Sequence, residues 1–135
     1  MTDQRIRKAT STANMPSYDA AKDSFSWQEA QELLDGLPGG HLNIAHEAID
    51  RHVTAGHGTQ IALRWIAKSG ARVDFTYQDL QQLSNKFANV LRAHGLQQGD
   101  KVYALLGRVP ELYIAALGAM KAGCVFCPLF SAFGP

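Results

Sequence analysis

Three places in the sequence hold residues of the types that do chemistry. The first is the pair Cys124-Val-Phe-Cys127. In a redox site the first cysteine of such a pair sits at a helix N-terminus, which lowers its pKa. Here the surrounding "GCVFCPLF" is apolar and reads as a strand. Residues three apart on a strand point to opposite faces and lie roughly 10 Å apart, too far for a disulfide. A metal site would need two more ligands, and no second cysteine pair exists. Both thiols read as core residues. The second place is His46-Glu47, which begins like H-E-x-x-H but has Asp50 where the second histidine belongs. His52 and His57 straddle a helix end, and all of these read as ordinary surface and helix-end histidines. The third is Gly107-Arg108-Val-Pro110. It follows a strand, where an α/β protein places a ligand-facing turn, and Arg108 could contact an anion. Pro110 removes one of the N–H groups that would hold a phosphate, so a tight turn is the reading. Gly95, Gly99 and Gly107 do not form G-x-G-x-x-G. No P-loop, nucleophile elbow or aspartate pair is present, and no catalytic or metal-binding residue is assigned.

The elements that position these residues follow from periodicity. Residues 1–24 are polar and aperiodic and read as a flexible tail; 25–135 form the folded part. Ser26 and Glu29 offer a capping box for a helix carrying Trp27, Ala30, Leu33 and Leu34, broken at Gly36 to Gly40. Asn43 caps a second helix whose apolar face is Ile44, Ala45, Ala48, Ile49 and Val53, with Gly56 as the stop. A period of two then takes over: Ile61, Leu63 and Trp65, then Val73, Phe75 and Tyr77, joined by "KSGA", predict a β-hairpin. Thr76 and Asp79 cap a helix with the stripe Leu80, Leu83, Phe87, Val90 and Leu91, ended by Gly95. Strand 101–106, a helix from Pro110 to Ala122 and strand 124–130 make a parallel βαβ unit. Its helix is apolar almost all round and its second strand is apolar throughout, as in a sheet covered on both faces. Two strands cannot create that environment. The fold class is α/β: a hairpin plus a parallel βαβ unit with flanking helices, in an incomplete sheet.

Composition bounds the partners. The 135 residues carry a formal net charge of +1 and are 46% hydrophobic, an ordinary balance for a globular protein. No basic stripe offers a nucleic acid an electrostatic footprint. The "RIRK" near the start is a solvated stretch of tail. No apolar run is long enough to span a membrane and no signal peptide is read, so the expected location is cytoplasmic, with free thiols.

The stretch "TYQDLQQLSNKFANVLRAHGLQQGDKVYALLGRVPELYIAALGAMKAGCVFCPLFSAFGP" resembles the N-terminal region of AMP-forming acyl-CoA synthetases, the adenylate-forming superfamily. The details "NIAHEAIDRH", "LLGRVPELYIAALGAMKAG" and "PLFSAFGP" are most similar to acetate–CoA ligases. The resemblance covers about residues 42–135. It implies part of an AMP-binding domain, and an enzyme that joins a carboxylate to ATP and passes the acyl group to coenzyme A. It implies ATP, magnesium and coenzyme A as cofactors of the full-length enzyme, with acetate or another short carboxylate as substrate. Ser131 and Ala132 stand, by resemblance, near the coenzyme A channel. The family's Ser/Thr/Gly-rich phosphate loop, adenylate-binding motifs and C-terminal lysine have no counterpart in these residues. None of the cofactors is therefore expected to bind this chain tightly, and the chain alone is expected to be inactive. The alternative is a non-catalytic assembly module that pairs, or self-associates, through its exposed sheet edge.

Overall fold

The computed structural model describes Met15 and residues 17–129. The chain divides into two compact units, Met1–Leu34 and Asp35–Pro135.

In the first unit, helix α1 (Tyr18–Ser24) lies within the stretch that reads as tail from its polarity. It forms because Ser17 is extended and its hydroxyl accepts the Ala20 N–H at 3.3 Å, while Asp19 and Lys22 suit the two ends of the helix dipole. Helix α2 (Trp27–Glu32) follows. Phe25 meets Trp27 edge-on, with ring centroids 5.0 Å apart. The capping box expected at Ser26 does not form: neither side chain bonds the helix start. The first turn of α2 is exposed, so water can satisfy those N–H groups without it.

The second unit opens on a glycine loop. Leu37 and His41 bridge across it, and Gly36, Gly39 and Gly40 all take positive φ. Asn43 caps the next helical segment as predicted, its side-chain oxygen accepting the Ala45 N–H at 3.0 Å. That segment is not a regular α-helix. It closes in π turns at His46–Asp50 and Val53–His57, with the Arg51 N–H reaching back five residues to the His46 carbonyl. A π turn holds one more residue than an α turn, so the apolar stripe narrows to positions four apart. Ala45 and Ile49 are buried, whereas Ile44, expected on the same face, is 65% exposed and Ala48 is exposed too. Gly56 kinks the segment at φ 86°.

Strands β1 (Ile61–Ile66) and β2 (Arg72–Thr76) form the predicted antiparallel hairpin. Arg64 lies directly opposite Asp74 and donates two hydrogen bonds to it, at 2.6 and 2.8 Å. Helix α3 (Tyr77–Ala93) begins at the predicted capping box. The Thr76 hydroxyl oxygen accepts the Asp79 N–H at 3.1 Å, and the Asp79 carboxylate accepts the Thr76 N–H at 2.9 Å. Its buried seam, however, is Leu80, Ser84, Ala88 and Leu91. Val90, expected in the stripe, is 49% exposed.

The reason is helix α4 (Pro110–Lys121), which begins with proline in its first turn and lies against α3. Gly118 is buried so tightly that a Cβ there would stand 2.8 Å from the Ser84 carbonyl oxygen and 2.9 Å from Phe87. Small residues line the crossing because larger ones would not fit. Strands β3 (Lys101–Ala104) and β4 (Val125–Pro128) flank α4 in sequence and pair in parallel. The two strand pairs do not merge; each is a separate two-stranded sheet.

The core gathers Leu91, Ala119 and Cys124, with Phe87, Leu96, Val102, Ala122 and Phe126 packed around them. It therefore includes α4, whereas the apolarity of that helix predicts an under-covered element outside the core. Both outcomes occur on one helix: Gly118 and Ala119 are buried, while Leu112, Ile114, Ala116, Leu117 and Met120 are only partly covered. The β3–β4 sheet is likewise one-sided. Val102 pairs with Phe126 on the core face; Tyr103 pairs with Cys127 on the other, where Tyr103 is 63% and Val125 50% exposed.

Replacing Gly118 with Ala should lower the urea midpoint by an amount equivalent to about 1–3 kcal/mol, the usual cost of overpacking. Gly107, whose Cβ would meet nothing within 4 Å, is the control. Gly107→Ala should leave the midpoint unchanged within error. Equal stability of Gly118→Ala and wild type would disprove the close crossing.

Candidate functional site

Two regions gather polar or loop residues in the second unit. One is a cleft of about 400 Å³ between the π-turn segment, α3 and the end of α4. Lys121, in the last turn of α4, sits at its centre with a side chain 9% exposed. Its ammonium donates to Asp50 at 2.6 Å and to Asn85 at 2.9 Å. The Asn43 amide donates to the Met120 carbonyl at 2.8 Å, and Arg92 donates to the Lys121 carbonyl at 3.3 Å. These bonds satisfy the exposed carbonyl end of α4 and tie three segments to it.

Beside this cleft Glu47 grips the glycine loop. Its carboxylate accepts the Gly36 N–H at 2.7 Å, the Asp35 N–H at 3.1 Å and an Arg51 guanidinium bond at 2.8 Å. The Gly36 bond is the main reason its pKa lies below the ordinary 4.5; partial burial acts against it, and the Asp35 and Arg51 bonds add to the lowering. His46 pairs with Asp35 at 2.9 Å. In the structure His46 and Glu47 thus bond the glycine loop. The sequence misses the cleft, because Asp50 and Lys121 are 71 residues apart. The one signal is a lysine closing a helix whose only other charge is Glu111 in its first turn. No three His, Cys, Asp or Glu side chains among the described residues come together to hold a metal ion. Among the described residues, Lys121, Asp50 and Arg92 of this cleft are all held in hydrogen bonds that link its three segments.

The second region is the carboxyl end of the parallel strands, where α/β proteins place ligands. There Gly107–Pro110 forms the tight turn predicted, the Val109 N–H donating to the Gly107 carbonyl at 3.0 Å. Arg108 is exposed, and its carbonyl accepts the Trp65 indole N–H at 2.8 Å. Ser131 and Ala132 lie outside the described residues. Of the two cysteines, Cys124 is buried in the core; Cys127, also read as a core thiol, is only partly buried because it lies on the open face of the sheet. His52 packs against the Tyr77 ring with centroids 4.6 Å apart, and His57 bonds Gln60 at 3.1 Å. No helix of the described residues is long and apolar enough to cross a membrane.

A hairpin, a parallel strand–helix–strand unit and incomplete sheets match a partial domain of the adenylate-forming acyl-CoA synthetase fold. The model of the AMP-binding enzyme family matches residues 50–135. The chain belongs to the AMP-binding enzyme family. It is 38% identical over 122 residues to an acetyl-coenzyme A synthetase of Bacillus subtilis, covering 89% of this chain and 21% of that protein. It is 35% identical over 117 residues to a 3-hydroxypropionyl-coenzyme A synthetase of Sulfurisphaera tokodaii, covering 87% of this chain and 18% of that one. The crystal structure of an acyl-CoA synthetase of Brucella canis superposes with a TM-score of 0.78 at 38% identity, over 87% of this chain and 21% of that one. The chain thus spans about a fifth of the length of the relatives it matches.

Two measurements check the polar network. Lys121→Met, Asp50→Asn and the double variant should show a coupling of about 1.5–3 kcal/mol, the range for hydrogen bonds to charged groups; additive effects would mean the pair is incidental. Glu47, Asp74 and Asp79 all have folded pKa values below their ordinary ones. Their contribution is full above the unfolded values and is lost as pH falls through the lower, folded ones. The urea midpoint should therefore drop on acidification below about pH 4.5, the ordinary glutamate value. Glu47→Gln should flatten that drop; an unchanged slope would count against the loop clamp.

Proposed function

We propose that this chain forms the N-terminal portion of an acyl-CoA synthetase acting on acetate or another short carboxylate. The reaction so proposed joins the carboxylate to ATP with loss of pyrophosphate, and transfers the acyl group from the adenylate to the thiol of coenzyme A. One observation carries the reading: similarity to an acetyl-coenzyme A synthetase extends over 122 residues and 89% of this chain.

The described residues do not fit ATP or magnesium. Transfer at the α-phosphate needs N–H donors or cations aimed at developing charge. The turn after β3 ties its Val109 N–H to Gly107 and has a proline where a further donor would stand, and among the described residues no cluster of carboxylates is placed to hold a metal. The contribution of this chain to the reaction is therefore architectural. It fixes the parallel strands whose carboxyl ends face the ligand side of such a sheet, and α3 and α4 hold those strands in register.

The test is acetate-dependent exchange of pyrophosphate into ATP. The purified chain should give no more than a heat-killed control. A fusion that joins it in frame to the portion of the B. subtilis acetyl-coenzyme A synthetase lying beyond the matched region should catalyse the exchange. A folded fusion inactive with acetate, propionate and 3-hydroxypropionate alike would overturn the reading.

A further inference from the structure

The cleft at the carbonyl end of α4 holds more hydrogen-bond donors than its own network uses. Helix α3 sends Asn85, Asn89 and Arg92 to one wall of it, at the i, i+4, i+7 spacing of a single helix face. Lys121 forms the floor. An ammonium has three protons, and among the described residues Lys121 commits two of them, to Asp50 and Asn85. Asn85 gives its oxygen to that bond, so its NH2 group stays available. Asn89 bonds nothing among the described residues. Arg92 carries five N–H donors and makes one long bond, at 3.3 Å, to the Lys121 carbonyl.

The acceptors, by contrast, are already met. Asp50 is the one carboxylate of the lining, and the Lys121 ammonium stands 2.6 Å from it. The carbonyls that end α4 would repel an anion, but Asn43 and Arg92 donate to them. His46, the remaining titratable group of the lining, is bonded to Asp35. Two cations therefore face one carboxylate. The volume of about 400 Å³ is that of a small-molecule site, and Leu37 and Ala88 give it an apolar side.

We propose that this cleft binds a small organic anion through a carboxylate or phosphate group. The oxyanion sits on Arg92, Asn89 and Asn85 with the third Lys121 proton beneath it, and the body of the ligand lies against Leu37 and Ala88. A planar guanidinium flanked by amide NH2 groups matches the geometry of an oxyanion. The inference goes beyond the synthetase reading and does not need it. Helix α4 runs from the carboxyl end of β3 back to the amino end of β4, so the cleft lies at the opposite end of the unit from the Gly107–Pro110 turn. An occupant there acts on the fold: it ties α3 to the last turn of α4, from which Gly123 leads into β4.

The test is titration of the full chain with phenyl phosphate and, separately, with benzoate, at an ionic strength held constant with sodium chloride. The side-chain amide resonances of Asn85 and Asn89 should shift and saturate with at least one probe, and the tighter probe names the head group. Arg92→Gln should weaken that binding by about tenfold or more, as expected for a hydrogen bond between charged groups. Lys86→Gln, which removes an exposed cation of α3 outside the cleft, should leave it within about twofold, as a lost surface charge does in salt. Shifts that saturate with neither probe would overturn the proposal. So would equal losses in Arg92→Gln and Lys86→Gln, the mark of general charge screening. If Arg92→Gln does not fold, Asn89→Leu decides, because Asn89 is exposed and takes no part in the clamp. It should weaken binding by about fivefold or more, and an unchanged affinity would overturn the proposal.

Discussion

The approach of α3 to α4 at Gly118 sets the geometry of the second unit. With no side chain there, the Ser84 carbonyl and Phe87 close to distances that any other residue would forbid. Ser84 turns its own hydroxyl inward onto the Leu80 carbonyl at 2.6 Å, so a fully buried polar group costs no unmet hydrogen bond. Once the helices are this close, Ala119 reaches Leu91 and Cys124, and β4 is delivered beside β3. The same approach carries Lys121 to Asn85 and Asp50. A side chain at position 118 would push apart the core and the polar clamp together.

What was legible in the sequence was whatever a short window decides. The Thr76–Asp79 capping box, the Asn43 cap, the hairpin and the Pro110 helix start each depend on residues within a few positions of one another, and each is present. The parallel unit was legible from the alternation of strand and helix patterns. Other features depend on what lies across the fold. Hydrophobicity assigns the stripe on α3 to Leu80, Leu83, Phe87, Val90 and Leu91; Leu80 and Leu91 are buried and Phe87 packs on the core, but closeness of packing buries Ser84 and Ala88 while Val90 stays exposed. The π turns at His46 and Val53 leave no local signature that distinguishes them from α turns. The exposed start of α2 formed without the side-chain cap its sequence offers.

The candidate site divides the same way. Family membership was legible because many spaced residues keep their order along the chain, which is one-dimensional information. The clamp around Lys121 was not, because it joins residues from three separate segments. A lysine at the end of an apolar helix signals only that its carbonyl end is complemented by charge. It does not name the carboxylate that meets it. The cysteine pair was read correctly in direction, with the two thiols on opposite faces. Its environment was not, since only the assembled sheet reveals that one of those faces is open.

The hydrogen bond from Trp65 to the Arg108 carbonyl has an optical consequence. It fastens an indole on the hairpin to the turn that follows β3, on the carboxyl side of the parallel strands. The chain has two tryptophans, and the other, Trp27, is 81% exposed and belongs to the first unit. The emission of Trp65 is thus a built-in gauge of that turn. Any displacement of Gly107–Pro110 strips the indole of its acceptor, and the change in its surroundings appears in the fluorescence spectrum with no label attached.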